Sequence, residues 1–97
     1  MKYYRIVTNF RCDELCTLAF CDLERYESEN ELINDIKLCL DNDKIAYVHY
    51  QEVTYKVFNR SEVKTMNDYS FGNNNQKLYT KDERYTRCTD YLTSYIV

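Results

Sequence analysis

The chain has 97 residues, a formal net charge of −3, no Pro, no Trp and a single Gly, Gly72. That length holds one domain over residues 1–97 and excludes two with separate cores. One glycine excludes the loops that cradle phosphates or dinucleotides, which need close backbone approach and positive φ. No apolar run nears the ~20 residues that cross a bilayer.

The first residues, Met1-Lys2-Tyr3-Tyr4-Arg5, lead into a β-prone run rather than the apolar segment of a secretory signal. With 5 cysteines, an odd number, the expectation is a reducing cytoplasm and free thiols.

In chain order, residues 2–9 are aromatic and β-branched and predict a strand. Residues 12–26 admit two readings. Cys12, Leu15, Cys16, Ala19, Phe20 and Leu23 fit an amphipathic helix, while Leu15 to Leu23 fits a strand buried on both faces. The strand is preferred, because strands 2–9 and 45–58 alone leave apolar surface uncovered.

Ser28-x-x-Glu31 is a capping box, and Leu32, Ile36, Cys39 and Leu40 share a face, so 28–42 predicts a helix. Residues 45–58 give the clearest strand pattern, with a bulge or bend expected at Gln51-Glu52. A weaker strand is expected over 62–71 and a loop over 72–77. Thr80-x-x-Glu83, with Tyr85, Cys88, Leu92 and Tyr95 at helical spacing, predicts a terminal helix over 81–95. The expected fold is α+β, a small antiparallel sheet with two helices packed on one face.

Charge is uneven along the chain. Residues 13–43 carry −8, residues 1–12 carry +3 and residues 44–97 carry +2. An acidic face suits a basic partner surface, which it attracts and orients. Solvated acidic helix faces are also common without any partner. Eleven tyrosines in a chain without Trp are more than so small a core readily satisfies. Those at the surface would suit an interface. The residues expected to meet a partner are Asp22, Glu24, Glu27, Glu29, Glu31 and Asp35, with Tyr26, Tyr47, Tyr50 and Tyr55.

Other chemistries have thinner support. Cys12, Cys16 and Cys21, with Cys39, Cys88 or His49, are a conceivable metal set, but the second Cys pair of a zinc site is missing. Free cysteine is commonly a small buried hydrophobe. A Cys–His catalytic pair depends on His49, the single histidine, which reads as a partly exposed strand residue. No catalytic residue, metal or cofactor is assigned. A nucleic-acid module is the alternative, with strand tyrosines for stacking and Arg60, Lys64, Lys77, Lys81, Arg84 and Arg87 on phosphates.

A short chain without Pro or Trp, rich in Asn, Lys and Tyr, with stretches such as Tyr26-Glu27-Ser28-Glu29-Asn30-Glu31-Leu32, is similar to small phage or mobile-element proteins. Among these are inhibitors of host defence, including anti-CRISPR proteins. The resemblance implies a compact, non-enzymatic inhibitor in the host cytoplasm that occludes a functional surface of a larger enzyme. The implied partner is a CRISPR-associated or other defence nuclease with a basic surface; nucleic acid is the less favoured partner, and no membrane is expected.

Overall fold

β1 (Lys2–Arg11) and β2 (Thr17–Tyr26) form an antiparallel pair in unbroken register, from Lys2 opposite Tyr26 to Arg11 opposite Thr17. The computed structural model describes residues 1–12, 17–54, 76–87 and 93–97. The order continues with α1 (Glu29–Cys39), β3 (Ile45–Val53), β4 (Lys77–Thr80), a 3-10 turn (Glu83–Arg87) and β5 (Thr93–Ile96). The strands lie side by side as β2-β1-β3-β4-β5. All neighbours are antiparallel except β4 and β5, which run parallel.

Helix α1 starts where its cap predicts. The Ser28 hydroxyl accepts from the Glu31 amide at 3.4 Å, and the Glu31 carboxylate accepts from the Glu27 amide at 3.4 Å. Leu32 and Ile36, one turn apart, are buried against the sheet, followed by Leu40 at the C-cap. Burying each aliphatic side chain contributes roughly 1.5–3 kcal/mol. Asn42 then makes the turn its residue type favours, its side-chain oxygen accepting from the Lys44 amide at 3.0 Å.

Each face of the sheet has its own chemistry, because successive side chains alternate. The face under α1 carries the apolar core, with Tyr4, Ile45, Val48, Tyr50 and Tyr79 packed on Leu32, Ile36 and Leu40. Five tyrosines, one from each strand, run across it as Tyr26, Tyr4, Tyr50, Tyr79 and Tyr95. Successive ring centroids are 6.2, 5.7, 6.1 and 4.8 Å apart. Such contacts add about 0.5–1.5 kcal/mol each beyond burial. The opposite face buries Val7 and Leu78 together with Arg5, Asn9, His49, Gln51 and Thr80.

Several expectations are corrected. The sheet is mixed, with one helix and a 3-10 turn rather than two packed helices. The terminal segment forms a turn and β5 instead of a helix over 81–95. Thr80, the expected cap, ends β4, and its hydroxyl donates to the Ala46 carbonyl at 2.8 Å. Asp82 caps the Arg84 amide at 3.0 Å, which supports only a short turn. Threonine in this stretch disfavours a helix, and β5 satisfies an open edge of β4. β4 lies in a stretch given no element of its own, although Leu78-Tyr79-Thr80 is β-prone. The irregularity in β3 sits at Ala46, skipped between Asn9–Tyr47 and Phe10–Ile45, and not at Gln51-Glu52. The expected strand over 62–71 and residues 72–75 of the expected loop lie outside the described residues.

Candidate functional site

Among the described residues β2 is an edge strand, with β1 on one side and no strand on the other. The strand expected to be buried on both faces instead leaves Leu18 54% and Phe20 58% exposed. Phe20 keeps one edge contact with the Phe10 ring at 5.4 Å. Further along, Asp22 and Glu24 are exposed on the α1 side, opposite Ile6 and Tyr4.

Tyr26 is half-buried at the end of β2. Its phenol is pushed up to about 12 by burial, then by a hydrogen bond to Asp35 and by the charges of Asp35 and Glu24. Asp35 on α1 and Glu24 on β2 are therefore brought to one tyrosine. Glu27 is exposed in the link between the two elements. Glu31, one turn before Asp35, is exposed and also closes the cap onto the Glu27 amide. Asp22, Glu24, Glu27 and Asp35 make no ion pair among the described residues.

The remaining expected contact residues are placed elsewhere. Glu29 is half-buried, and its carboxylate accepts from Lys77 at 2.7 and 2.9 Å. That bond raises the Lys77 ammonium's pKa. Tyr50 is 2% exposed and belongs to the core. Tyr47 is half-buried on the opposite face, its ring 5.3 Å from Tyr85. Tyr55 lies outside the described residues. The sequence thus groups ten residues, of which the fold gathers Asp22, Glu24, Tyr26, Glu27, Glu31 and Asp35 on one flank. Leu18, Phe20 and Glu52 were missed. The first two have a strand signal, but nothing local reveals that the strand is an edge.

The alternative chemistries fare differently. Among the described residues no group of His, Cys, Asp or Glu is placed to hold a metal. Cys12 follows β1, and Cys21 lies four strand residues beyond the Arg11–Thr17 pair, roughly 13 Å along the strand. Cys16 and Cys88 lie outside the described residues. Cys21 and His49 stand on opposite sides of Val7, two strand spacings apart, roughly 10 Å. Burial raises the Cys21 thiol's pKa, with Arg5 opposing, which disfavours a nucleophilic thiolate.

His49 is 7% exposed, not partly exposed as expected. Burial, then the Arg5 charge, lowers its pKa to about 4. Among the basic residues of the nucleic-acid alternative, Lys77, Lys81 and Arg84 are each paired with a carboxylate, Glu29, Asp41 and Asp82. Arg60 and Lys64 lie outside the described residues.

No helix among the described residues is long and apolar enough to cross a membrane. No family model, curated protein or solved structure matches the chain.

Proposed function

We propose that this chain is a non-enzymatic binding protein of the cytoplasm, an inhibitor that docks its β2–α1 flank on a basic surface of a larger enzyme. One observation carries the reading. A ten-residue edge strand has no bulge and no proline, with Leu18 and Phe20 exposed toward one end and, toward the other, carboxylates without ion pairs among the described residues. Natural proteins blunt such edges with bulges, proline or lysine, because an open edge offers backbone groups to another chain. Here the edge is regular, and Asp22 and Glu24 outnumber its one cation, Arg25.

The division of the flank suits a protein partner. Apolar exposure supplies area to bury, and the carboxylates select and orient a positive surface. Enzymes that bind nucleic acid present such surfaces. The compositional resemblance to phage-encoded inhibitors supports a defence nuclease, such as a CRISPR-associated one, as the enzyme. Pairing of Lys77, Lys81 and Arg84 with carboxylates weighs against the nucleic-acid reading, which needs free cations to displace phosphate counterions.

The test is capture and reconstitution. The tagged protein is used to capture a partner from host lysate, and the partner is purified and assayed on its nucleic acid. Stoichiometric addition of this protein is expected to inhibit it. The variant with Asp22, Glu24, Glu27 and Asp35 changed to Lys is expected not to. Recovery of nucleic acid alone, or inhibition unchanged by the reversal, would overturn the reading.

A further inference from the structure

At the N-terminal end of α1 a cleft of about 130 Å³ opens between the helix and the sheet, lined by Tyr4, Glu29, Tyr50, Glu52 and Lys77. Four elements build it, since Tyr4 comes from β1, Glu29 from α1, Tyr50 and Glu52 from β3, and Lys77 from β4. It adjoins the acidic flank directly. Glu24 on β2, Tyr4 on β1 and Glu52 on β3 are register partners in one row across the sheet.

Its charges do not balance. Glu29 and Lys77 satisfy one another at 2.7 Å. Among the described residues Glu52 is held only by Lys2 at 3.8 Å, with both side chains about half exposed. Such a pair is weak in water. The cleft itself therefore holds two carboxylates against one ammonium. The partial positive charge of the helix N-terminus is already answered by Glu29 and Glu31 in its first turn. Tyr4 registers the excess. Its phenol is pushed up to about 12 by burial, then by Glu52 and Glu29.

The cleft also holds a polar group with an unmet need. Tyr50 is 2% exposed, and its buried hydroxyl has no hydrogen-bond partner among the described residues. Burial, then the charge of Glu29 and the neighbouring Tyr79 phenol, raise the pKa of this hydroxyl. Buried polar groups are nearly always satisfied, so an orphan in a cleft calls for a donor from outside. A water takes roughly 30 Å³ of liquid, so the cleft has room for about four, or for one small charged head group.

We propose that this cleft receives the head of a single arginine or lysine side chain from the partner. Glu52 is its counter-charge, and the Tyr50 hydroxyl oxygen accepts one of its N–H groups. The inference rests on the docking reading above and gives it an anchor. A basic side chain seated here lies against the tyrosines and meets the half-exposed Glu52, whereas the outer carboxylates act through water. An anion is disfavoured by the two carboxylates, and a neutral group leaves Glu52 without a close partner.

The cleft is tested apart from the macromolecular partner. The whole protein is titrated with N-acetyl-arginine amide, N-acetyl-lysine amide and N-acetyl-glutamine amide at low salt, with amide NMR shifts followed at Tyr50, Glu52 and Lys77. Saturable shifts are expected with either cationic probe and not with the neutral one. Glu52→Gln is expected to weaken the cationic probes about tenfold, the loss of one charge-assisted hydrogen bond. Tyr50→Phe is expected to weaken them without lowering the melting temperature. Equal shifts with the glutamine probe, or no change in Glu52→Gln, would overturn the proposal. The four-site reversal separates the two readings, because it leaves the cleft intact. Probe binding that survives the reversal while inhibition is lost supports both. Probe binding absent from the wild type, with inhibition still lost on reversal, removes the cleft alone. Inhibition unchanged by the reversal removes the docking reading whatever the probes do.

Discussion

The carboxylates at the two ends of α1 do different work. Beyond its C-terminal end two of them are tied to cations. Asp41 meets Lys81 at 2.7 Å, and Asp82 meets Arg84 at 2.6 Å and Arg11 at 3.5 Å. These contacts fasten the 3-10 turn to the end of the helix and to β1. Hydrogen bonds from Arg84, side chain first, hold the Asp82 carboxyl well below the usual carboxylate range. Near the N-terminal half, Asp22, Glu24, Glu27 and Asp35 are left without ion pairs among the described residues. The same residue types thus hold the fold together at one end and stay open to a partner at the other.

That contrast sets the largest expected effect. Reversing Asp22, Glu24, Glu27 and Asp35 to Lys is expected to cut affinity for a basic partner by about a hundredfold, mostly through steering and orientation. Thermal melting should fall only modestly, through loss of the Asp35 hydrogen bond with Tyr26, since these groups pair with no cation among the described residues. Glu29 and Glu31 are left out of the set because they hold Lys77 and the helix cap.

Acid titration separates fold from flank. His49 titrates near 4 when folded, against an ordinary value of 6.5. Unfolded chains take up its proton first as pH falls. Stability is therefore complete above about pH 6.5 and falls towards pH 4, by up to about 3 kcal/mol. Urea titrations at several pH values check this. His49→Gln should flatten the window, and the reversed flank should keep it.

A smaller change is expected from Asp82→Asn. It should speed hydrogen exchange at the Arg84 amide, which Asp82 caps, and leave partner affinity unchanged. Because the Asp82 pKa is depressed, its contribution is present above the ordinary carboxylate range and lost as pH falls below it. The smallest effect belongs to Asp41→Ala. It breaks an exposed pair with Lys81 and should cost under about 1 kcal/mol in chemical denaturation.

The sequence made local structure legible wherever one side chain decides it. Ser28 and Glu31 mark the helix start, Asn42 the turn, and the Ile45 run its strand. Long-range pairing was not legible. Thr80-x-x-Glu83 has the pattern of a helix cap, yet Thr80 is claimed by the Ala46 carbonyl across the sheet. Tyr95 keeps helical spacing, yet it stacks on Tyr79 at 4.8 Å from a strand. Arg5 gives no hint in sequence that it is 1% exposed. For the site, the acidic half was legible as a charge run, because charge is additive along a chain. Its apolar half was not, since Leu18 and Phe20 are exposed only because β2 is an edge. The tyrosines expected at the surface were divided by place in the sheet: Tyr26 and Tyr50 share a face, but Tyr50 sits on the central strand and Tyr26 at the end of the outer one.

The most direct test of the docking flank is a calorimetric titration of the reconstituted partner with three proteins at two salt concentrations. They are the wild type, the variant with Asp22, Glu24, Glu27 and Asp35 changed to Lys, and a control with Asp41 and Asp82 changed to Asn. Tight, salt-weakened binding is expected from the wild type and the control, with about a hundredfold loss in the reversal. Equal affinity across all three, or a loss only in the control, would contradict it.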